Sequence, residues 1–386
     1  MTSKPLLRSL KVRGWRSFPT EGKVGQLDQL SQINILAGPN NAGKSNYLRL
    51  LMWLRDMRVE IGENPFPFGI EETQTWKLQN GPVRIWLSID PESDKDFAAA
   101  CTPFLDDGGQ VTFYLDAADT KHGYRCDGTI LLPDGRPHLF TDKNGQRAVR
   151  PGKGQALVND ASGRESRNAL LNAVQPVRLL FQLLKQRVFD LQPVRSDDTV
   201  QGHNITVSSD GTNTIQRWRE LGKDTKRRSY LSIRRDLHRV LPRWLGVSRA
   251  TIDLGSSDLK IEFSDSYSAP LIELGSGVTE LVLQFLFILL QRETLGPNIP
   301  FTMLIDEPES HLHPAIAFDF VKTVADIVPE CQLIVTSHAP VLLDGLSSPQ
   351  WRAYRIRKSD DGATHTSSIL ETTEKRTCCR ARWLMA

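Results

Sequence analysis

Two glycines five positions apart, followed at once by a lysine and a serine, form the first group of residues whose spacing points to chemistry. The segment LAGPNNAGKSN runs from Leu36 to Asn46. Glycine permits a tight backbone path that turns several amide N–H groups towards one anion. Lys44 would bring a positive charge to the β- and γ-phosphates of a nucleotide, and Ser45 would offer its hydroxyl to Mg²⁺. The alternative is a plain glycine-rich turn.

Two adjacent carboxylates form the second group. Asp306 and Glu307 follow the apolar run Phe301–Ile305, in the segment FTMLIDEPESHLHP. At the carboxyl end of a strand they would face the crevice in which an α/β sheet binds its ligand. Asp306 would hold Mg²⁺, directly or through water, and Glu307 would orient and polarise an attacking water. The alternative is an acidic strand end that caps the next helix.

A histidine and a Gly-Ser-Gly turn complete the set. His338 follows the apolar run Leu333–Val335, which predicts a buried strand. A lone histidine is usually structural, but this one closes the strand after the Asp-Glu strand, where it can reach a γ-phosphate. The turn Gly275–Gly277 leads into a helical pattern and offers a second helix N-terminus suited to an anion. A simple glycine-rich helix cap is the alternative for this turn.

The elements around the first group favour a phosphate loop over a plain turn. Ile33–Leu36 is a short run rich in β-branched residues and predicts a buried strand, while a helical pattern begins at Ser45. A phosphate loop requires this strand-to-helix context, because the N-terminus of the helix supplies a dipole and unpaired donors. The spacing Gly-x4-Gly-Lys-Ser is not the dinucleotide pattern, so it does not predict a nicotinamide site.

Length and composition are those of an ordinary globular protein. The chain has 386 residues, a net charge of +3 and 39% hydrophobic residues, which allows two or three domains and does not by itself demand a nucleic-acid partner. The longest apolar run, Leu281–Leu290, is far shorter than the ~20 residues that span a bilayer. The N-terminus resembles no signal peptide. We therefore expect a cytoplasmic protein whose five cysteines are structural or incidental.

Taken in order, the four motifs resemble those of ABC-type ATPases of the RecF/SMC class, particularly the OLD-like branch without a long coiled coil. They are GPNNAGKSN, LGSGVTE, LIDEPESHLHP and VTSHAP, preceded by LKVRGWRSF near the N-terminus. The resemblance covers about residues 6–346. It implies an α/β fold: a P-loop ABC-type ATPase head with a mixed sheet, an antiparallel β subdomain and a helical insertion. One departure is that the signature begins Leu274-Gly275, where the family often has Leu-Ser.

The resemblance also implies a role for each matching residue. Ser276 and Gly277 would act in trans on the γ-phosphate bound by a second subunit. Asp306 would serve the metal, Glu307 the water, and His338 would be the switch histidine; residues 309–313 would cross the dimer interface. Gln192 is the candidate for a glutamine that senses Mg²⁺, and Arg16 the candidate for a further phosphate contact. The phosphate loop itself would comprise Gly38, Asn40, Asn41, Ala42, Gly43, Lys44, Ser45 and Asn46.

The segments between the motifs suggest four regions. Residues 1–165 would form the N-terminal lobe, with antiparallel strands in GPVRIWLSID and GGQVTFYLDAADT. Residues 166–248 would be a helical insertion, residues 249–370 the C-terminal lobe and residues 371–386 a disordered tail. Residues 121–165 carry no assignable function. The pairs Asp106–Asp107 and Asp197–Asp198 are interpreted as turns rather than metal sites.

The stretch from Arg217 to Arg243 contains ten basic residues and only three acidic ones. Such a stretch could contact nucleic-acid phosphates, but a solvated helical face or a surface for an acidic protein partner is an equal alternative. Only 48 residues follow His338, so a fused TOPRIM nuclease domain of ~100 residues is not expected.

Three functions are compatible with these patterns. The leading hypothesis is an ATPase that dimerises around ATP and Mg²⁺ and controls a separate effector, by resemblance a nuclease in bacterial anti-phage defence. The second is a RecF-like, DNA-binding repair ATPase. The third is a nucleotide-gated scaffold with little turnover, against which Glu307 argues.

Overall fold

The computed structural model describes most of the chain. The residues described are 4–19, 22, 24–56, 58–59, 68–70, 83–102, 105–120, 123–131, 140–141, 147–148, 158–159, 165–191, 214–224, 226–254, 259–264, 267–310, 312–360 and 362–369. Gln192, Asp197–Asp198, His311, the tail 371–386 and most of residues 132–164 lie outside these ranges, so the predictions made for them remain predictions.

Seven α-helices and twenty strands occur among the described residues. The helices are α1 (Lys44–Arg55), α2 (Lys95–Cys101), α3 (Arg167–Arg187), α4 (Thr214–Gly222), α5 (Arg228–Leu245), α6 (Ser276–Leu295) and α7 (Pro314–Ile327). The strands are β1 (Leu7–Arg13), β2 (Gly25–Leu27), β3 (Ile33–Ala37), β4 (Arg58–Val59), β5 (Phe68–Ile70), β6 (Val83–Ile89), β7 (Val111–Thr120), β8 (Gly123–Leu131), β9 (Phe140–Thr141), β10 (Arg147–Ala148), β11 (Val158–Asn159), β12 (Glu165–Ser166), β13 (Val188–Leu191), β14 (Thr251–Leu254), β15 (Leu259–Ser264), β16 (Tyr267–Pro270), β17 (Phe301–Asp306), β18 (Cys331–Ser337), β19 (Trp351–Lys358) and β20 (Thr364–Ser368).

A six-stranded sheet carries the predicted motifs. Its order is β13-β17-β18-β3-β19-β20, and every pair is parallel except β19 with β20. Asp306 pairs with Thr336, and Ser337 pairs with Ala37, so β17, β18 and β3 end at the same edge. Because the motif segments follow these strand ends, the sheet brings their backbones together.

The buried strands follow directly from their apolar runs. Ile33, Ile35 and Ala37 of β3 face one core cluster, and Leu36 faces the other. A parallel strand covered on both faces needs apolar residues at nearly every position, which explains why β3 shows no polar alternation. The one polar exception, Asn34, is fully buried and hydrogen-bonds the carbonyl oxygens of Ser31 and Leu333.

The second large sheet has seven strands in the order β2-β1-β6-β7-β8-β5-β4, all antiparallel. It contains the two antiparallel strands predicted from alternation, β6 and β7. Its apolar face packs with α1 and α3 against one face of the six-stranded sheet. Between β6 and β7, Asp106 accepts backbone hydrogen bonds from Gly108, Gly109 and Gln110, so the turn predicted there is confirmed.

The opposite face of the six-stranded sheet is covered by helices α4 to α7 and the small antiparallel sheet β14-β15-β16. The sequence of α5 places Ile233, Leu237, Val240, Leu241 and Trp244 on one face of a helix, and all five are buried. Within the segment predicted to be a helical insertion, α3 contacts α1 and α2, and β13 forms the edge of the six-stranded sheet. This segment therefore contributes to the sheet that holds the motifs. The boundaries at 166 and 248 remain a prediction.

The long apolar run at 281–290 lies inside α6, and every residue of this run is buried in the core. Among the described residues, no helix is long and apolar enough to cross a membrane. Cys101 and Cys331 are both free and buried, and burial raises the pKa of the Cys101 thiol to about 12. A thiol with so high a pKa is a poor nucleophile, in agreement with a structural role.

Candidate functional site

Two glycines in the loop after β3 are required by close backbone packing. A Cβ at Gly38 would lie 2.2 Å from the carbonyl oxygen of Ile356. Gly43 has a φ of 98°, and a Cβ there would lie 2.2 Å from Thr364 Oγ1. α1 begins immediately after Gly43, and within this described loop no side chain caps its N-terminus. The amide of Asn46 donates to Gly43 O at 3.2 Å, and the positive end of the helix dipole at this N-terminus favours an anion.

Lys44 is the most buried charged group of this loop. Its side chain is 3% exposed, and Nζ donates to the carbonyl oxygens of Gly38 and Pro39 at 2.9 and 3.0 Å. Nζ also lies 3.1 Å from Glu307 Oε1. The loop thus wraps around its own lysine, and the ammonium group is held against the carboxylate that follows β17.

Ser45 and Asp306 form a second contact between the same two loops. Ser45 Oγ donates to Asp306 Oδ1 at 2.8 Å, and the Thr336 hydroxyl donates to the same oxygen. Hydroxyl and carboxylate oxygens are the ligands that Mg²⁺ prefers, and Mg²⁺ is usually held by one or two carboxylates together with substrate phosphates. Among the described residues, no cluster of three or more His, Cys, Asp or Glu side chains could hold a metal. The hydroxyl and carboxylate of the Ser45–Asp306 pair are chemically suited to the magnesium of a nucleotide complex.

Glu307 has a left-handed backbone conformation, with a φ of 48°. This conformation is uncommon for a residue with a side chain and is found preferentially at functional sites. Its amide donates to Thr336 O at 3.1 Å and to Thr336 Oγ1 at 3.0 Å, which holds the turn. The side chain is 28% exposed, so its carboxylate can contact both Lys44 and solvent.

His338 lies directly after β18 and is held by a residue to which the sequence analysis assigned no role of its own. Glu309 Oε1 lies 3.1 Å from His338 Nδ1 and accepts from the amide of His338 at 2.7 Å. His338 also borders a cavity of about 530 Å³ beside the phosphate loop. The other side chains and loop residues around this cavity are Gly38, Pro39, Asn40, Asn41, Ala42, Arg355, Arg357 and Lys358.

The three basic residues of this cavity were not predicted from the sequence. They belong to β19, which pairs with β3 on the side away from β18. A signal was present, because WRAYRIRK places arginines in a strand that follows the His338 strand. Only the strand order shows that the carboxyl end of β19 lies beside the phosphate loop.

Arg16 lies in the turn after β1, and this turn is tied to the end of the phosphate loop. Ser17 Oγ accepts from Asn46 Nδ2 at 2.6 Å, and Trp15 Nε1 donates to Asn46 O at 3.1 Å. The Arg16 guanidinium lies 5.6 Å from the Trp15 ring centroid. Burial, with a smaller contribution from the charge of Arg49, lowers the pKa of Arg16, so an anionic partner would be favourable there.

Ser276 and Gly277 form the N-terminus of α6, after Gly275 with a φ of 93°. Among the described residues, no hydrogen bond joins either of them to the phosphate loop of the same chain. Gln192 lies outside the described residues, but the strand before it, β13, ends at Leu191 opposite Ile305 of β17. The roles predicted for these three residues remain predictions.

Comparison with known proteins gives one family match and a common fold. Residues 219–344, which include Ser276, Asp306, Glu307 and His338, match the family described as "AAA domain, putative AbiEii toxin, Type IV TA system". No curated protein matches the chain.

Three solved structures of SMC heads are similar to the chain. One is an SMC head bound to the C-terminal winged-helix domain of ScpA, at 15% identity and a TM-score of 0.50, over 96% of this chain and 99% of that one. The SMC head domain of Thermotoga maritima is 14% identical with a TM-score of 0.46, over 95% of this chain and 100% of that one. The third structure is the SMC head with an extended coiled coil from Pyrococcus furiosus, bound to the C-terminal domain of ScpA. It is 13% identical with a TM-score of 0.47, over 98% of this chain and 99% of that one. The first of these likenesses shows the fold.

Proposed function

We propose that this chain, which has the fold of the ABC-type, SMC-head class of P-loop ATPases, binds ATP with Mg²⁺ and hydrolyses it. The observation that carries the proposal is the convergence of two loops that lie more than 250 positions apart in the sequence. Lys44 contacts Glu307, and Ser45 contacts Asp306. A lysine, a hydroxyl and two carboxylates at the carboxyl edge of a parallel sheet are the groups that phosphoryl transfer to water requires.

Binding follows from the geometry of the loop and α1. The triphosphate would occupy the loop at the N-terminus of α1, where backbone N–H groups and the ammonium of Lys44 favour negative charge. Arg16, Asn46 and the basic end of β19 lie around the same loop. Ser45 and Asp306 would hold Mg²⁺, which when bound neutralises charge on the β- and γ-phosphate oxygens.

Glu307 would act as the general base. In the structure its carboxylate is paired with Lys44. When phosphate oxygens attract the Lys44 ammonium, the carboxylate loses this partner and can accept a hydrogen bond from the attacking water. Thr336 holds the backbone of Glu307 through two hydrogen bonds, so the carboxylate can change partner while the turn stays in place. His338, at the end of the adjacent strand, would contact the γ-phosphate.

The second half of the proposed site would come from a second copy of the chain. Ser276 and Gly277 are at a helix N-terminus and do not bond the phosphate loop of their own chain among the described residues. A two-fold dimer would place this terminus over the triphosphate of the other copy. ATP binding would then close the dimer, and hydrolysis would weaken it, because the bridging γ-phosphate is lost.

The output of this cycle would be control of a separate effector protein. One similar SMC head is bound to a domain of another protein, ScpA, and we extend only the principle of a protein partner to this chain. A nuclease effector in anti-phage defence is the form of this proposal that the OLD-like motifs favour. Purification of the chain with its genomic neighbours would test it, and repeated absence of any co-purifying protein would contradict it.

ATP turnover by the purified chain tests the central proposal. We expect Mg²⁺-dependent phosphate release by the wild type, and loss of ATP binding and turnover in Lys44→Ala. Lys322→Ala, which removes an exposed lysine on α7, is the matched control and should behave as the wild type. Equal turnover above the no-enzyme background in Lys44→Ala and wild type would contradict the proposal. Turnover at the no-enzyme background in all three, with ATP still bound by the wild type, would favour a nucleotide-gated scaffold.

A second candidate, a DNA-binding repair ATPase, is favoured by the exposed face of α5. Arg228, Arg235, Arg239 and Arg243 are exposed at about helical spacing, and Lys223, Lys226 and Arg227 are exposed just before the helix. The acidic residue of the helix, Asp236, is buried and paired with Arg292. We expect duplex DNA binding that weakens steeply with salt if this candidate is correct, and further weakening in Arg235→Glu/Arg239→Glu. Lys95→Glu, at an exposed site on α2, is the control; absence of salt-sensitive binding would remove the candidate.

A further inference from the structure

Glu309 has contacts that a surface carboxylate does not make. It lies in the short 3₁₀ segment Pro308–Ser310 after β17, yet its side chain is only 2% exposed. Its Oε1 accepts from Ser337 Oγ at 2.6 Å and from the amides of His338 and Ala339 at 2.7 and 3.3 Å. The carboxylate thus reaches from the loop that carries Glu307 to the loop that carries His338.

The same oxygen contacts the imidazole of His338. Glu309 Oε1 and His338 Nδ1 are 3.1 Å apart. An ionised carboxylate only accepts hydrogen bonds, so a hydrogen bond at this contact would place the proton of the ring on Nδ1. The other ring nitrogen, Nε2, then accepts hydrogen bonds in the neutral ring. In a protonated ring, Nε2 would donate to phosphate. The ring is 47% exposed and borders the cavity beside Asn40 and Ala42.

Capping of the turn alone does not account for a carboxylate at this position. Ser337 Oγ already accepts from the Ala339 amide at 2.9 Å. Glu309 Oε2 is buried and, among the described residues, has no hydrogen-bond partner. A buried carboxylate with one unsatisfied oxygen is costly, and each such group in a native structure calls for an explanation. The other oxygen, Oε1, lies where it can fix the tautomer of the imidazole in addition to capping the turn.

We propose that Glu309 is a positioning residue for His338, holding the ring with Nδ1 protonated and Nε2 towards the phosphate loop. This inference rests on the proposed ATPase function for its consequence but not for its geometry. The loop that carries Glu307 and the loop that carries His338 are thereby joined through a single side chain.

The kinetic test is a double-mutant cycle between Glu309 and His338. We expect Glu309→Ala to lower kcat about 10–100-fold, by analogy with the loss of a partner that orients a metal-bound histidine, with little change in KM for ATP. His338→Ala/Glu309→Ala should be no slower than His338→Ala alone, because Glu309 acts through the ring. If the two losses multiply, the residues act independently and the proposal is wrong.

Two further variants separate positioning from folding. Glu309→Gln keeps an amide oxygen for the backbone donors and removes the charge, so it should fold as the wild type and lose part of kcat. Glu330→Gln is the matched control: it changes a carboxylate to an amide beside the opposite end of β18 and should leave kcat unchanged. Full activity in Glu309→Gln and Glu309→Ala together would overturn the proposal.

A spectroscopic test does not depend on turnover. Long-range ¹H–¹⁵N NMR correlations of the imidazole, assigned to His338 by their loss in His338→Ala, report which nitrogen carries the proton. We expect the Nδ1–H tautomer in the neutral wild-type ring, and a change of tautomer balance in Glu309→Ala. A neutral wild-type ring protonated mainly at Nε2 would overturn the proposal. If the wild type lacked ATPase activity, the proposed function would fail and this spectrum alone would decide the present inference.

Discussion

At the scale of single residues, the pair of Lys44 and Glu307 is the centre of the proposed function. Lys44 is buried against its own loop, and its charge is balanced by Glu307 at 3.1 Å. In the proposed function, phosphate oxygens would displace this carboxylate, and the displaced carboxylate would activate the water. The ion pair would then link nucleotide binding to the availability of Glu307 as the base. Neither the distance nor the pairing can be predicted from two motifs 260 positions apart.

The first prediction concerns the charge of Glu307. Glu307→Gln should lower kcat by about 10²–10⁴-fold, the usual contribution of a general base. It should also bind ATP more tightly than the wild type, because a carboxylate that competes for Lys44 and repels phosphate has been removed. Isothermal titration with ATP and Mg²⁺ measures the affinity, with Glu330→Gln as control. Weaker ATP binding in Glu307→Gln would contradict the competition between Glu307 and phosphate.

The second prediction concerns Gly43. Gly43→Ala combines a φ of 98° with a Cβ at 2.2 Å from Thr364 Oγ1, so we expect a loss of about 1–3 kcal/mol in the free energy of unfolding together with weaker ATP binding. Gly109→Ala is the control: its φ is 70°, but no atom lies within 4 Å of the new Cβ. It should cost only about 1 kcal/mol and leave ATP binding unchanged. Urea unfolding measures the free energy of unfolding of both variants. Equal losses of this free energy in Gly43→Ala and Gly109→Ala would argue against the close packing at Gly43.

At the scale of elements, the strands and helices that carry motifs were predictable because their signals are local. The run Ile33–Leu36, the glycines after it and the helical pattern from Ser45 lie within one short segment, and β3 and α1 form as predicted. In PVLLDGL, a proline at the head of the segment is typical of a helix start, and the segment forms a 3₁₀ helix, Pro340–Ser347. The position of the basic end of β19 and the contact of Glu309 with His338 were not predicted. Both depend on the order of the strands in the sheet rather than on neighbouring residues.

The third prediction compares two leucines on α5. Leu237 is fully buried in the core between α5 and the six-stranded sheet, whereas Leu231 on the same helix is 50% exposed. Leu237→Ala should lower the free energy of unfolding by about 2–5 kcal/mol, since it removes buried methyl groups and leaves a cavity. Leu231→Ala should change it by less than about 0.5 kcal/mol. Urea or thermal unfolding followed by circular dichroism decides; similar losses would mean that α5 does not pack as described.

The fourth prediction concerns His238, also on α5. Burial, with smaller contributions from the charges of Arg234 and Arg249, lowers its pKa below the ordinary value of 6.5, while Glu262 opposes the shift. The unfolded chain therefore binds a proton at a higher pH than the folded chain, so stability contributed by neutral His238 is present above pH 6.5 and is lost as the pH falls. Unfolding free energies measured between pH 7.5 and 5 should fall less steeply in His238→Asn. An identical pH dependence in both proteins would contradict the shift.

At the scale of the whole molecule, the proposed site would have two halves. The six-stranded sheet joins the loops after β3, β17 and β18 at one edge. The N-terminus of α6 belongs to the helical layer on one face of that sheet, and no hydrogen bond of the described residues connects it to the loop. In the proposal, a second copy of the chain would bring the two halves together. The sequence alone predicts each half from its motif, whereas the strand order shows which loops share one edge.

The most direct test of this account is complementation between two inactive variants. Lys44→Ala and Ser276→Arg should each abolish turnover as pure dimers, because each variant damages both sites. In a mixed dimer, one site receives Lys44 from one copy and Ser276 from the other and is intact. Mixing equal amounts should therefore restore about a quarter of the wild-type rate, from random pairing in a two-fold dimer with two sites. A mixture as inactive as its components, although mixed dimers are detected, would contradict a nucleotide site completed by a second copy.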